Sequence, residues 1–172
     1  MGAPVENIQA AADPPPWFHP GRAGSLRLGP TLLGQFGELH PDVLDAFEVK
    51  GPVAAFELFL DAVPLPRAGR AKPPLKLSVF QPVERDFAFV VDRDLPAETL
   101  LRAARSVDRK LVSEIRLFDV YEGKGLPEGK KSLAISVVLQ PQDATLTDAE
   151  IDAFSARLVT QVEKATGGTL RG

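Results

Sequence analysis

The chain of 172 residues contains no cysteine. That removes disulfide bridges, thiolate nucleophiles and cysteine-based zinc or iron–sulfur sites, and it makes a small secreted disulfide scaffold untenable. Histidine is nearly as scarce: His19 and His40 are the only two, and each stands before a proline. With no second histidine or carboxylate cluster at ligand spacing, both read as loop or cap residues and no metal site is expected. Long apolar runs are also missing and mean hydropathy is −0.02, so no membrane span is expected. The first residues, MGAPVENIQAAADPPPWF, lack a basic stretch followed by an apolar one. No signal peptide is expected from them, and the expected location is the cytoplasm.

The familiar chemical signatures are absent too. No Gly-x-Gly-x-x-Gly, Walker loop, Gly-x-Ser-x-Gly or His-Glu-x-x-His pattern occurs, and no catalytic residue is assigned. A net charge of −3 and an isoelectric point near 5.4 argue against a general nucleic-acid coating protein, which needs a net basic surface. A local basic patch stays open.

What is present is an ordinary globular composition, 44% hydrophobic and 25% charged, with one unusual feature. Of the 16 prolines, all but Pro96, Pro127 and Pro141 lie at or before Pro82. The stretch Pro64–Pro74, PLPRAGRAKPP, combines four prolines with Gly69 and three cations. It favours extended linker conformations over a packed core and marks a boundary, dividing the chain into 1–76 and 77–172. The charge does not divide with it: 7 basic and 8 acidic residues lie up to Lys76, and 13 basic and 15 acidic after it.

Before the boundary, Ser25–Leu28 and Thr31–Leu39 read as strands joined at Gly29-Pro30. His40-Pro41-Asp42 opens a short helix over Val43–Phe47, which Gly51-Pro52 stops before a further strand within Val53–Val63. The first twenty or so residues show no helical or strand period. This part has the look of an incomplete module.

After the boundary the pattern is cleaner. Asp86–Val91, DFAFVV, is a buried strand. A helix over Ala97–Val107 places Leu100, Leu101, Ala104 and Val107 on one stripe. Leu111–Glu122 is a strand, and a loop over Gly123–Gly129 leads to Ser132–Gln140, where Leu133, Ile135, Val137 and Leu139 alternate with smaller residues. Thr147-Asp148-Ala149-Glu150 has the form of a capping box. The helix it opens carries Ile151, Phe154, Leu158, Val162 and Ala165 at helical spacing, ends at Gly167-Gly168, and precedes a short strand around Leu170. The order βαββαβ in an α+β chain is that of the ferredoxin-like sandwich, an antiparallel sheet with both helices on one face. The open face is the place for function, although the architecture alone does not select one.

Three features could bind. Arg102, Arg105, Arg109 and Lys110 make a basic stripe on the first helix, which a solvated face explains better than a binding role. Lys124, Lys130 and Lys131 cluster around the loop between the two central strands, where they could contact phosphates. Asp119 and Tyr121 share a strand face by period two, and Ser132 lies on the polar face of the next strand. A flat ring beside a carboxylate and a hydroxyl is a combination that reads single-stranded RNA. Strict alternation would also send Ile115 and Leu117 to the open face, so this arrangement requires a β-bulge or a second packing surface.

At these residues a resemblance becomes specific. LFDVYEGKGLPEGKKSLAISVVLQPQDATLTDAEI, with VERDFAFVV before it and TLRG at the end, closely resembles the ferredoxin-fold anticodon-binding domain that ends the beta subunit of bacterial phenylalanyl-tRNA synthetases. The earlier segment WFHPGRAGSLRLGPTLLGQFGELHPDVLDAFEVKGPVAAFELFLDAV is similar to the end of the catalytic-like module that precedes it, a partial α+β synthetase-like scaffold. The resemblance implies an alpha2beta2 enzyme whose alpha subunit charges tRNA(Phe) with phenylalanine using ATP and magnesium, with no cofactor held by the part seen here. It implies that Tyr121 stacks on the first anticodon base and that Asp119 and Ser132 hydrogen-bond it. Lys130, Lys131 and Arg171 are the expected phosphate contacts. Beta subunits of that family are several times longer, so the sequence is expected to be a C-terminal piece without ligase activity of its own. The alternative is an ACT-like regulatory module, which pairs sheets and binds amino acids between them; the polar Asp119, Tyr121, Ser132 cluster speaks against that.

Overall fold

The computed structural model describes residues 7–65 and 78–171, which fall into two compact units. From residue 66 on, the proline-rich stretch lies outside the described residues.

The first unit is an antiparallel sheet in the order β1-β2-β3-β4: β1 Gln9–Ala11, β2 Phe18–Leu28, β3 Thr31–Leu39 and β4 Ala54–Leu58. Gly29 turns the β2–β3 hairpin with φ +57°. Helix α1 spans Pro41–Ala46, and the His40 Nδ1 accepts the Asp42 N–H at 3.2 Å while Pro41 opens the first turn. His19 likewise accepts the Gly21 N–H at 3.0 Å, so both histidines cap local backbone.

Two expectations change here. The opening residues hold a strand after all: β1 pairs Gln9 with Arg27 and Ala11 with Ser25, and β2 begins at Phe18. Three residues are too few to show a period, and the register of β2 breaks between Phe18 and Ala23, around Pro20. The apolar run to Val63 is strand only as far as Leu58; a 3-10 turn over Leu60–Ala62 follows. Beneath the sheet, the fully buried Ser25 hydroxyl donates to Asp13 and Arg27 Nη2 reaches the same carboxylate at 2.5 Å. Those two contacts hold the Asp13 carboxyl below its ordinary value. Phe36 and Phe56 pair across β3 and β4 but are 40% and 79% exposed, so contacts within the unit leave that patch open.

The second unit runs β5 Val83–Asp92, α2 Ala97–Arg105, β6 Val112–Tyr121, β7 Lys130–Leu139, α3 Asp148–Thr166 and β8 Thr169–Leu170. Every pairing is antiparallel and the sheet order is β6-β7-β5-β8. β7 therefore sits between the two strands that α2 connects, the ferredoxin-like arrangement expected from βαββαβ. One face of the sheet, with Phe87, Phe89, Val91, Leu133, Ile135, Val137 and Leu139, packs on Leu100 and Ala104 of α2 and Phe154, Leu158 and Val162 of α3. Each large side chain so buried contributes about 1.5–3 kcal/mol.

The capping box forms: Glu150 N–H donates to Thr147 Oγ1 at 3.3 Å, and Thr147 N–H to the Glu150 carboxylate at 2.8 Å. Gly167, at φ +67°, ends α3. Ala165 is exposed and Thr166 takes the buried place, its hydroxyl donating to the Val162 carbonyl at 2.7 Å and accepting the Gly168 N–H at 3.1 Å. Helix α2 stops at Arg105, so Arg109 and Lys110 belong to the following turn, and the helical stripe reduces to Arg102 and Arg105. Arg105 lies 3.6 Å from Glu98, two turns back along the same helix.

Candidate nucleic-acid interface

The required bulge is present in β6. Leu117 pairs with Ile135 and Asp119 with Ala134, so Phe118 is an extra residue opposite a single step of β7. Before it, Ile115 and Leu117 oppose Val137 and Ile135 and join the helix-packed face. After it, Asp119 and Tyr121 oppose Ala134 and Ser132, on the open face. One inserted residue thus reconciles an apolar half-strand with a polar one.

The structure brings the three residues together. Tyr121 and Ser132 are direct cross-strand partners, and Asp119 is two residues back along the Tyr121 side. Such neighbours lie about 5 Å apart, within the span of one nucleobase. The Tyr121 ring is held at its hydroxyl end. Its hydroxyl donates to the Lys124 carbonyl at 3.0 Å, and Gly123 lies so close that a Cβ there would collide with Oη, Cζ and Cε2. The residue keeps 37% exposure, and the Arg171 guanidinium lies 5.5 Å from the ring centroid, a cation–π contact. Asp119 is exposed. Ser132, in contrast, is 3% exposed, although it is on the face away from the helices.

The cations divide. Lys130 is on the open side and pairs with Asp92 at 2.6 Å. Lys131 opposes Val91, a fully buried residue of the helix-packed face, and so points away from Tyr121. Arg171 is at the site. Sequence reasoning gave Arg171 no more than a phosphate contact; its place against the ring has no local signal, because 50 residues separate it from Tyr121. Among the described residues no group of three or more His, Asp or Glu could hold a metal ion, and no helix is long and apolar enough to cross a membrane.

Residues 78–171, more than half of the chain, match the family model described as the ferredoxin-fold anticodon binding domain. The chain belongs to that family. Residues 2–60 match a second model, the phenylalanyl tRNA synthetase beta chain CLM domain. Among curated relatives, the phenylalanine–tRNA ligase beta subunit of Rhodospirillum rubrum is 55% identical over 172 residues, and those of Bradyrhizobium diazoefficiens and Paramagnetospirillum magneticum are each 53% identical over 173. Each alignment covers 99% of this chain and 22% of the relative. The chain thus spans about a fifth of the length of the relatives it matches. An anticodon-binding family does not favour the ACT-like alternative.

Proposed function

We propose that this chain binds the anticodon stem-loop of tRNA(Phe) through the open face of its second unit, as part of a phenylalanine–tRNA ligase. The observation that carries this is the cross-strand set of Tyr121, Ser132 and Asp119, turned to one face by the bulge at Phe118. The ring offers a stacking surface for the first anticodon base, the carboxylate accepts hydrogen bonds from the base edge, and the serine hydroxyl donates or accepts. Of the expected phosphate contacts Lys130, Lys131 and Arg171, Lys131 is on the other face, Lys130 is paired with Asp92, and Arg171, beside the ring, is the best placed.

In this reading residues 1–76 are the end of an inactive catalytic-like module with its linker, and 77–172 are the anticodon-binding domain. The open Phe36–Phe56 patch of the first unit supports its being part of a larger module. The complete enzyme pairs beta with alpha subunits in the cytoplasm and charges tRNA(Phe) with phenylalanine using ATP and magnesium.

The test is titration of an anticodon hairpin of tRNA(Phe) against the wild type and Tyr121→Ala. Removing the ring should weaken binding by about 1–3 kcal/mol, a loss of roughly 5- to 150-fold. Equal binding by the two proteins would remove Tyr121 from the interface.

A further inference from the structure

On the open face of the second unit Tyr121, Ser132, Val90 and Thr169 form one line of cross-strand neighbours. The adjacent line is Asp119, Ala134 and Ala88, and it ends at Arg171, whose backbone N–H donates to the Ala88 carbonyl at 2.7 Å. β6 and β8 are the two edges of the sheet, so the backbones of Tyr121 and Arg171 stand on opposite rims, about 14 Å apart across three strand spacings. The floor between them is made of small residues: Ser132, Ala134, Ala88 and Val90. Across this floor the Arg171 guanidinium reaches the Tyr121 ring. Ser132, on the line between them, is almost fully buried on a face that no helix covers.

We propose that Arg171 gates this trough: in the free chain its guanidinium holds the place on the Tyr121 ring that a base must take, and it swings out when the base enters. The inference rests on the proposed anticodon reading. The side chain has the freedom to move. It is exposed, only its backbone is pinned to β5, and among the described residues no carboxylate lies within ion-pair distance of it. Once off the ring, the guanidinium is free to meet an RNA phosphate, so the gate and the phosphate contact are two states of one residue.

Tyr121 is the only tyrosine, so a fluorotyrosine label reports on this ring alone. The experiment uses the full chain, the tRNA(Phe) anticodon hairpin as probe, and Arg171→Lys, which keeps the charge and loses the planar stacking group. The expected results are a shifted fluorine resonance in the free variant and association with the hairpin about two- to fivefold faster than wild type, the factor an exposed cation–π contact represents. Arg171→Ala should shift the free resonance in the same direction. An unchanged resonance in both variants, or association of Arg171→Lys no faster than wild type, overturns the gate. Tyr121→Ala separates the two claims: if it weakens hairpin binding while the Arg171 variants behave as wild type, the gate fails and the stacking reading stands. If Tyr121→Ala leaves binding unchanged, the stacking reading fails and the gate fails with it.

Discussion

Gly123 shows how much of the proposed interface depends on one missing carbon. Its neighbour in space is the phenol end of Tyr121, and any Cβ would meet Oη, Cζ and Cε2. Because the Gly123 backbone has an ordinary negative or extended φ, alanine there is conformationally allowed and acts only by pushing the ring. Gly123→Ala should therefore weaken hairpin binding towards the level of Tyr121→Ala, with a stability change within about 0.5 kcal/mol, as for surface substitutions generally. Hairpin titration beside thermal unfolding checks both halves. Period two and residue chemistry put Asp119 and Tyr121 on one strand face and Ser132 on the polar face of the next strand, but bringing all three to the open face needed the bulge at Phe118. Arg171 against the ring was not legible in the sequence, since a long-range contact between a strand and a chain end leaves no periodic trace.

At the scale of elements, α3 and β6 are the two informative cases. The capping box was readable because it is local: four consecutive residues contain both partners. The Glu150 carboxylate, which accepts first the Thr147 backbone N–H and second its hydroxyl, is held below its ordinary 4.5. A carboxyl depressed in the folded state adds stability above that ordinary value and loses it as pH falls through the lower folded one. Thr147→Ala should cost about 1 kcal/mol, within a usual range of about 0.5–2. The stability gap between wild type and Glu150→Gln should be full at pH 7 and close as pH falls below 4.5, measured by denaturant unfolding at a series of pH values. The bulge in β6 was inferable only as a need. Alternation conflicted with itself between Leu117 and Asp119, and the sequence contained the conflict without saying which residue would be left over. Pairing with β7 made it Phe118.

At the scale of the whole molecule the proposed RNA contact has to be reconciled with a net charge of −3. Position limits which cations can take part: Lys130 is already paired with Asp92, Lys131 lies on the helix-packed side, and Arg171 alone of the three is beside the Tyr121 ring. Hairpin affinity should therefore fall only gently with salt. A slope of roughly −1 to −2 in log K against log salt corresponds to one to three phosphate contacts at about 0.7 each. Lys131→Ala should leave that slope unchanged, and a steeper slope or a marked effect of Lys131→Ala, read from titrations at several salt concentrations, would place the RNA elsewhere on the surface.

The sequence by itself determined the ferredoxin-like order of the second unit, most of its core stripes, the caps and the shared strand face of Asp119 and Tyr121. All of these follow from local spacing: 3.6 residues along a helix, two along a strand, three across a capping box. Only the tertiary structure decided where those patterns break. It placed the bulge at Phe118, ended α2 before Arg109, recruited Gln9–Ala11 as an edge strand and carried Arg171 over the ring of Tyr121. Each of those depends on the partner strand or surface that a segment meets, and such partners come together only when distant parts of the chain pack.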